Sequence, residues 1–359
     1  MSEFFHSFPA VRGVQAGRPC YIAMCPLRVI PKIFVFNEFD VPADMRAQRT
    51  LNKNRIPEIA NYLVENRSEY TFSSLTASIN GEVKFDSISV DGPGKNMGTL
   101  QISMDAQILL NDGQHRRAAI EEAINELPEL GYDQISVVFY LDEGLTRSQQ
   151  MFADLNKHAI RPSTSISTLY DHREELSNLA RHVMTSVYVF SRLTETEKAS
   201  ISNRSTKLFT LNAIKNATQV LLLKKKNASV SQEESDLAVE FWRYVCDCMD
   251  DWKLASDRQI HTFELREDLI HAHGIALQSI GVVGSEIIND KTAWIKLKGL
   301  NSIDWSRKNK EWFGRAIVNG RISKSSVNIQ LTAALIKKKL GLELTDKQNK
   351  LEESFANHG

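Results

Sequence analysis

One stretch of the chain, residues 108–124 (ILLNDGQHRRAAIEEAI), joins a strand end, a glycine turn and a helix start. Ile108 to Leu110 are typical of a buried strand, and Asn111-Asp112-Gly113 is typical of a tight turn, because glycine adopts backbone angles that other residues avoid. After the turn, apolar residues recur at helical spacing. The free N–H groups at the start of such a helix, and its positive dipole end, favour an anion there.

The turn carries the residues that we expect to bind phosphate. The candidate ligands are His115, Arg116 and Arg117. Asp112 would repel a polyanion unless a metal or His115 intervened, so it is either a helix cap or, with His115, a candidate catalytic group. A plain strand-to-helix connection with a solvated arginine pair fits the same residues, and residue types alone leave both interpretations open.

A polar, basic segment precedes the first predicted helix. Residues 48–55 include Arg49 and Arg55, and a helix with a buried apolar stripe is predicted to follow. Both arginines are candidate phosphate ligands, and solvated cations are the alternative. Further along, residues 74–79 and 81–85 are predicted to be the two strands of a hairpin, because Asn80-Gly81 is a strong hairpin turn signal.

A second informative helix is predicted over residues 146–158. Asp154 and Asn156 offer oxygen ligands to a metal, so Asp154 is also a candidate catalytic residue. Lys157 is a candidate phosphate ligand. The alternative is a surface ion pair between Asp154 and Lys157, which lie three residues apart on one helix face.

Length and periodicity indicate two domains. A chain of 359 residues with 42% hydrophobic residues can bury substantial cores. Strand signals thin out after residue 162, and the later segments show helical periodicity: 167–182, 207–225, 234–249 and 325–339. We therefore predict an α+β domain over residues 1–165 and a mainly helical, basic domain over residues 166–359.

Location and cysteine usage follow from simple patterns. We find no apolar run long enough to span a bilayer and no signal-peptide pattern at the start, so we expect a cytoplasmic protein without a membrane partner. The four cysteines fit reduced thiols, and their spacing is poor for zinc or an iron–sulfur cluster, so neither is expected. They are Cys20, Cys25, Cys246 and Cys248.

The net charge of zero hides an asymmetry along the chain. Residues 291–340 hold 12 basic and two acidic residues, interleaved with Trp294, Trp305, Trp312 and Phe313, and residues 198–232 hold seven basic residues and no acid. Basic stretches with aromatic residues are typical of phosphate-backbone binding, although a solvated lysine-rich surface is the alternative. The candidate DNA contacts are Lys224, Lys225, Lys226, Arg307, Lys308, Lys310, Arg321, Lys324, Lys337 and Lys338.

Several motifs resemble those of the DGQHR-domain proteins and, more widely, the DndB family, whose members regulate bacterial DNA phosphorothioation. They are Gln48-Arg49, LNKNRIPEIANYL (51–63), YTFSSLTASINGE (70–82), NDGQHRRAAI (111–120), RSQQMFADLNKHAIRPSTS (147–165), LYDHRE (169–174) and NRSTKLFTL (203–211). These motifs cover most of residues 48–211, and the later third resembles the family through less distinctive motifs.

The family in turn resembles the N-terminal domain of ParB and sulfiredoxin, which has a mixed sheet. That resemblance implies that residues 113–117 cradle the phosphates of ATP or CTP with Mg²⁺. It places Asp154 and Asn156 near the metal, with Lys157 and Arg161 beside it. This chain departs from the ParB box, which is arginine-rich with an acid after its glycine, since Asp112 precedes Gly113 here and Gln114 follows it.

The resemblance implies a DNA-binding transcriptional repressor of a phosphorothioation operon. Double-stranded operator DNA, the modification enzymes and further copies of the chain are its implied partners, and the nucleoid its implied location. An ATP- or CTP-hydrolysing or DNA-nicking enzyme of the same restriction-modification system is the alternative, and both hypotheses hold together if nucleotide occupancy sets the DNA-binding state. A pure scaffold, our third hypothesis, would bind neither DNA nor nucleotide.

Overall fold

The computed structural model describes residues 4–34, 55–142, 147–157, 163–202 and 205–358. By its internal contacts the chain divides into two compact units, unit 1 (Met1–Ile160) and unit 2 (Arg161–Gly359). Each unit has its own hydrophobic core.

Unit 1 is built on a mixed seven-stranded sheet. Its strands are β1 (Phe5–Gln15), β2 (Arg18–Pro26), β3 (Leu75–Asn80), β4 (Val83–Ser87), β5 (Met97–Ser103), β6 (Gln107–Asp112) and β7 (Gln134–Leu141). Their order in the sheet is β4-β5-β1-β2-β7-β3-β6. Only the β3–β7 pair is parallel, and the other pairs are antiparallel.

Four helices accompany this sheet among the described residues of unit 1. They are α1 (Ile30–Ile33), α2 (Arg55–Glu65), α3 (Gln114–Glu126) and α4 (Ser148–Lys157). Helices α2 and α3 pack against each other. They bury Leu63 and Ile120 in the same core as Phe139 of β7. This packing brings the start of α2 near the start of α3, where the glycine turn lies.

The strands flanking Asn80-Gly81 do not form the predicted hairpin. Strand β3 pairs with β6 and β7, whereas β4 pairs with β5 at the other side of the sheet. Gly81 does have a positive φ of +148°, and a Cβ on it would lie 2.6 Å from Cβ of Ala106. The local turn signal is therefore correct, but the choice of strand partner depends on distant residues.

Unit 2 is mainly helical. Its helices are α5 (Thr164–Tyr170), α6 (Glu175–Ser186), α7 (Tyr188–Leu193), α8 (Leu211–Leu221), α9 (Gln232–Asp247), α10 (Asp250–Ser256), α11 (Thr262–Asp268), α12 (Gly274–Ile287), α13 (Ser326–Lys339) and α14 (Asp346–His358). Two short strand pairs accompany them: β8 (Thr194–Glu195) with β9 (Phe209–Thr210), and β10 (Ile317–Val318) with β11 (Arg321–Ile322). The predicted α+β class is confirmed.

Helix α12 lies at the centre of unit 2. Eleven of its 14 residues are buried, and it packs against both α8 and α13. Its glycines permit this close approach, because a Cβ on Gly281 would lie 2.5 Å from the carbonyl oxygen of Ala217 on α8. Within the described residues, no helix is long and apolar enough to cross a membrane.

We predict that Gly281→Ala destabilises the protein by about 1–3 kcal/mol, the usual cost of overpacking a core. In an open helix the same change would stabilise by about 1 kcal/mol, because alanine is the better helix former. Urea denaturation of the two proteins measures the difference in free energy of unfolding. An increase in stability would contradict the close contact between α8 and α12.

Candidate functional site

The glycine turn joins β6 to α3 through Gly113. This residue has φ +104°, and a Cβ on it would lie 2.3 Å from Cδ2 of the buried Leu75. No described side chain caps α3, and the Asp112 carboxylate instead accepts a 2.6 Å hydrogen bond from Nη2 of Arg116. The alternative in which Asp112 caps the helix is therefore wrong. The turn itself needs a residue without Cβ at position 113.

Arg116 uses its donors inside unit 1. Its Nη1 donates to the carbonyl oxygens of Ser73 at 2.7 Å and Ser74 at 2.9 Å, and to the Ser73 hydroxyl. Together with the Asp112 ion pair, these bonds tie the segment before β3 to the glycine turn. Arg116 therefore positions the turn.

Arg117 and Gln114 also face inward. Arg117 donates from Nε to the carbonyl oxygen of Phe34 at 3.1 Å and from Nη2 to that of Pro31 at 3.0 Å, and it pairs with Glu121. Gln114 is buried and donates from Nε2 to the carbonyl oxygen of Leu110 at 3.0 Å. Three of the five candidate phosphate ligands at the glycine turn are thus engaged with the unit itself.

Arg55 and His115 lie near each other at the start of the two packed helices. The exposed Arg55 begins α2, and His115 is half-buried in the first turn of α3. Burial, and then the charge of Arg55, lower the pKa of His115, which favours a neutral imidazole.

Asn111 lies buried at the end of β6, donates to Ser78 Oγ at 2.7 Å, and has no described partner for its Oδ1.

The expected metal ligands lie on α4 or beyond the described residues. Asp154 is exposed, and its Oδ1 accepts a 2.7 Å hydrogen bond from Gln150. The side chains of Asn156 and Lys157, and the whole of Arg49 and Arg161, lie outside the described part. Among the described residues, no group of three or more His, Cys, Asp or Glu side chains is arranged to hold a metal.

In unit 2, carboxylates neutralise three of the ten lysines and arginines predicted to contact DNA. Lys224 pairs with Glu234 at 2.6 Å, and Lys338 pairs with Glu352. Lys337 is buried, where its Nζ contacts Glu286 at 2.5 Å and Gln348 at 2.9 Å. Lys225 and Lys226 are exposed after α8.

The other five predicted DNA contacts form what we name the basic surface: Arg307, Lys308, Lys310, Arg321 and Lys324. No described carboxylate forms an ion pair with any of them; Arg307 is half-buried and the other four are exposed. Arg307 donates to the carbonyl oxygens of Glu267 at 3.3 Å and Gly320 at 3.4 Å. The second bond places its guanidinium beside the β10–β11 turn.

A pocket of about 470 Å³ opens beside this surface. It is lined by Arg307, Phe313, Gly314, Ile317, Val318, Asn319 and Gly320. Phe313 is 49% exposed, whereas Trp294, Trp305 and Trp312 are buried in the core of unit 2. The expectation that these tryptophans face nucleic acid is therefore wrong, and Phe313 alone of the four aromatic residues is accessible.

Two further residues, Arg266 and His273, lie against the basic surface, and the sequence did not predict them there. Burial, and then the positive charges of Arg266, Arg307 and Lys324, lower the pKa of His273 to about 4. Arg266 and His273 are joined by a 2.9 Å hydrogen bond from His273 Nε2 to the Arg266 carbonyl oxygen. No linear motif links them to residues 307–324, because the fold brings these segments together.

His273 predicts a loss of stability in mild acid. Its folded pKa of about 4 lies below the ordinary value of 6.5, so the unfolded chain takes up a proton first as the pH falls from 6.5 towards 4. Between pH 7 and pH 5 this proton uptake lowers the wild-type free energy of unfolding by about 1–2 kcal/mol. His273→Gln should not show this part of the loss. Urea denaturation at both values measures it, and equal losses in the two proteins would contradict the assignment.

Comparison with known proteins agrees with the motifs. A family model described as DndB, DNA-sulfur modification-associated, matches residues 8–343. Neither the curated proteins nor the solved structures gave a match. The resemblance of unit 1 to ParB and sulfiredoxin stays a prediction. Because the family match spans nearly the whole chain, the protein belongs to the DndB family, which is associated with the sulfur modification of DNA.

Proposed function

We propose that this protein is a DNA-binding transcriptional repressor of genes for DNA phosphorothioation. The observation that carries the proposal is the basic surface, whose five cations form no ion pair with a described carboxylate. The family's association with DNA sulfur modification supplies the biological setting. The promoter of the modification genes is the DNA that such a repressor would occupy.

Ion pairing decides which cations are available to DNA. A lysine already paired with a carboxylate gains little from a DNA phosphate, because the carboxylate must be displaced or must repel the duplex. An unpaired exposed lysine or arginine neutralises a phosphate and releases its counterions. Lys308, Lys310 and Arg321 are of this second kind. We therefore assign them to backbone contact, which fixes the protein on the duplex without reading its sequence.

We predict that replacing Lys308, Lys310 and Arg321 together with glutamine weakens binding to the promoter duplex. The slope of log Kobs against log salt should fall by about 0.9 for each phosphate that the variant no longer neutralises. The folded state should be little affected, because these side chains are exposed. Fluorescence anisotropy titrations at several salt concentrations measure both quantities.

Lys298→Gln is the matched control for that experiment. Lys298 is exposed in the same basic stretch of sequence, but it lies near Cys248, where its charge opposes the rise in pKa that burial gives that thiol. The Lys298→Gln variant should leave the affinity for the promoter duplex and the salt slope nearly unchanged. Equal losses in the control and the triple variant would contradict a localised DNA surface, and a wild-type affinity independent of salt would contradict the proposal itself.

A second candidate function is nucleotide binding, with ATP or CTP and Mg²⁺, at the glycine turn of unit 1. It is favoured by one observation, the approach of Arg55 and His115 at the start of α3, where helix N–H groups favour phosphate. For this second candidate function, the glycine turn is held in place by Arg116, Arg117 and Gln114. Asp112, Asp154 and Asn156 remain the candidates for hydrolysis or metal binding.

For this candidate we predict that Arg55→Gln and His115→Ala each weaken nucleotide binding at least tenfold, as expected when a charge-assisted bond of about 1.5–3 kcal/mol is removed. Isothermal titration with each nucleotide and Mg²⁺, with and without promoter DNA, measures it. Arg67→Gln, an exposed arginine after α2, is the control. Unchanged binding in both variants, or none in the wild type, would exclude the site.

A further inference from the structure

The start of α12 concentrates positive charge without a compensating carboxylate among the described residues. Nζ of Lys324 lies 3.3 Å from the position that a Cβ on Gly274, the first residue of the helix, would occupy. A lysine there faces the positive end of the helix dipole, which is the unfavourable end for a cation. Gly274 leaves room for this approach, and a Cβ on it would also lie 3.1 Å from Cβ of Ala213 on α8.

Arg266 adds a second cation at the same place. Its Nη1 donates to the carbonyl oxygens of Leu208 at 3.2 Å and Ala272 at 3.5 Å, so it is held just before α12. Its Nε is buried and has no hydrogen-bond partner among the described residues. Burial lowers the pKa of Arg266. Lys324 is exposed as a residue, but desolvation of its ammonium group, followed by the charge of Arg266, lowers its pKa.

No described carboxylate relieves this repulsion. Glu264, Glu267 and Asp268 share helix α11 with Arg266, but all three are exposed, and among described residues none forms an ion pair with Arg266 or Lys324. His273 donates its Nε2 proton to a backbone carbonyl and carries no charge at neutral pH. A buried donor without an acceptor and two neighbouring cations are both unfavourable unless an anion joins them.

We propose that Arg266, Lys324 and the start of α12 form an oxyanion site that binds a phosphate group. A tetrahedral oxyanion presents oxygens in several directions, which suits an arginine, a lysine and helix N–H groups converging from different elements. Arg307, whose charge also acts on His273, connects the site to the basic surface. On the proposed function, the phosphate is one of the DNA backbone.

The test has two arms that separate a DNA phosphate from a free one. In the first, the melting temperature is followed while inorganic phosphate replaces chloride at constant ionic strength, so that screening does not change. The wild type should gain stability with phosphate, as any protein does with a ligand of its folded state. Phosphate also stabilises folded proteins by exclusion from their surface, so Lys324→Gln should keep only that smaller, general gain. Lys324→Arg and the control Lys298→Gln should show the full wild-type gain.

Lys324→Gln has a further signature in chloride alone. Because it removes repulsion from Arg266 and from the helix dipole, its melting temperature should equal or exceed that of the wild type. A lysine with a purely structural role would lower it. In the second arm, the salt slope for promoter DNA should fall by about 0.9 in Lys324→Gln and stay unchanged in Lys298→Gln.

The outcomes are distinct. Loss of the phosphate effect with a smaller salt slope supports a DNA phosphate at the site. Loss of the phosphate effect with an unchanged slope supports the oxyanion site and overturns DNA as its source. A phosphate gain in the wild type that is no larger than the gain in Lys324→Gln overturns the site. If the wild type binds no duplex, the proposed function fails while the phosphate arm still decides the site.

Discussion

Ion pairing within unit 2 decides which of its basic residues are left to bind a ligand. Lys224, Lys337 and Lys338 are matched by carboxylates, whereas the basic surface is not matched by any described one. The distinction follows from the fold: α13 turns Lys337 inward towards Glu286 on α12, while the β10–β11 turn projects outward with Arg321 beside it. Among the described residues, the basic surface thus groups cations that no carboxylate pairs with.

Pairing within a unit also changes the interpretation of the DGQHR motif, residues 112–116. A basic motif after a glycine turn indicates phosphate binding when its donors are free. Here Arg116 and Arg117 satisfy backbone carbonyls at Ser73, Ser74, Pro31 and Phe34. Phe34 is buried and its carbonyl needs a partner, so within unit 1 these arginines hold chain segments together. Arg55 and His115 are then the residues best placed to meet a ligand.

Local patterns predicted much of the architecture. Strands β6 and β7, the helix after Gly113 and the helical character of unit 2 all follow from periodicities of two or 3.6 residues and from a glycine that needs positive φ. The hairpin predicted at Asn80-Gly81 does not form, because the pairing of strands depends on the whole sheet, in which β3 lies between β7 and β6. The prediction that the tryptophans of the basic stretch face nucleic acid is wrong, because aromatic residues pack in a core as readily as they bind nucleic acid. Arg266 was missed because it meets Lys324 only through tertiary packing.

If DNA lies on the basic surface of unit 2, the duplex must shield the lysines there from solvent. Acetylation of lysines, followed by mass spectrometry with and without promoter duplex, tests this most directly. We predict that duplex protects Lys308, Lys310 and Lys324 and leaves Lys298 as reactive as before. Protection of Lys298 with continued reactivity of Lys308 and Lys310, or protection confined to unit 1, would contradict it.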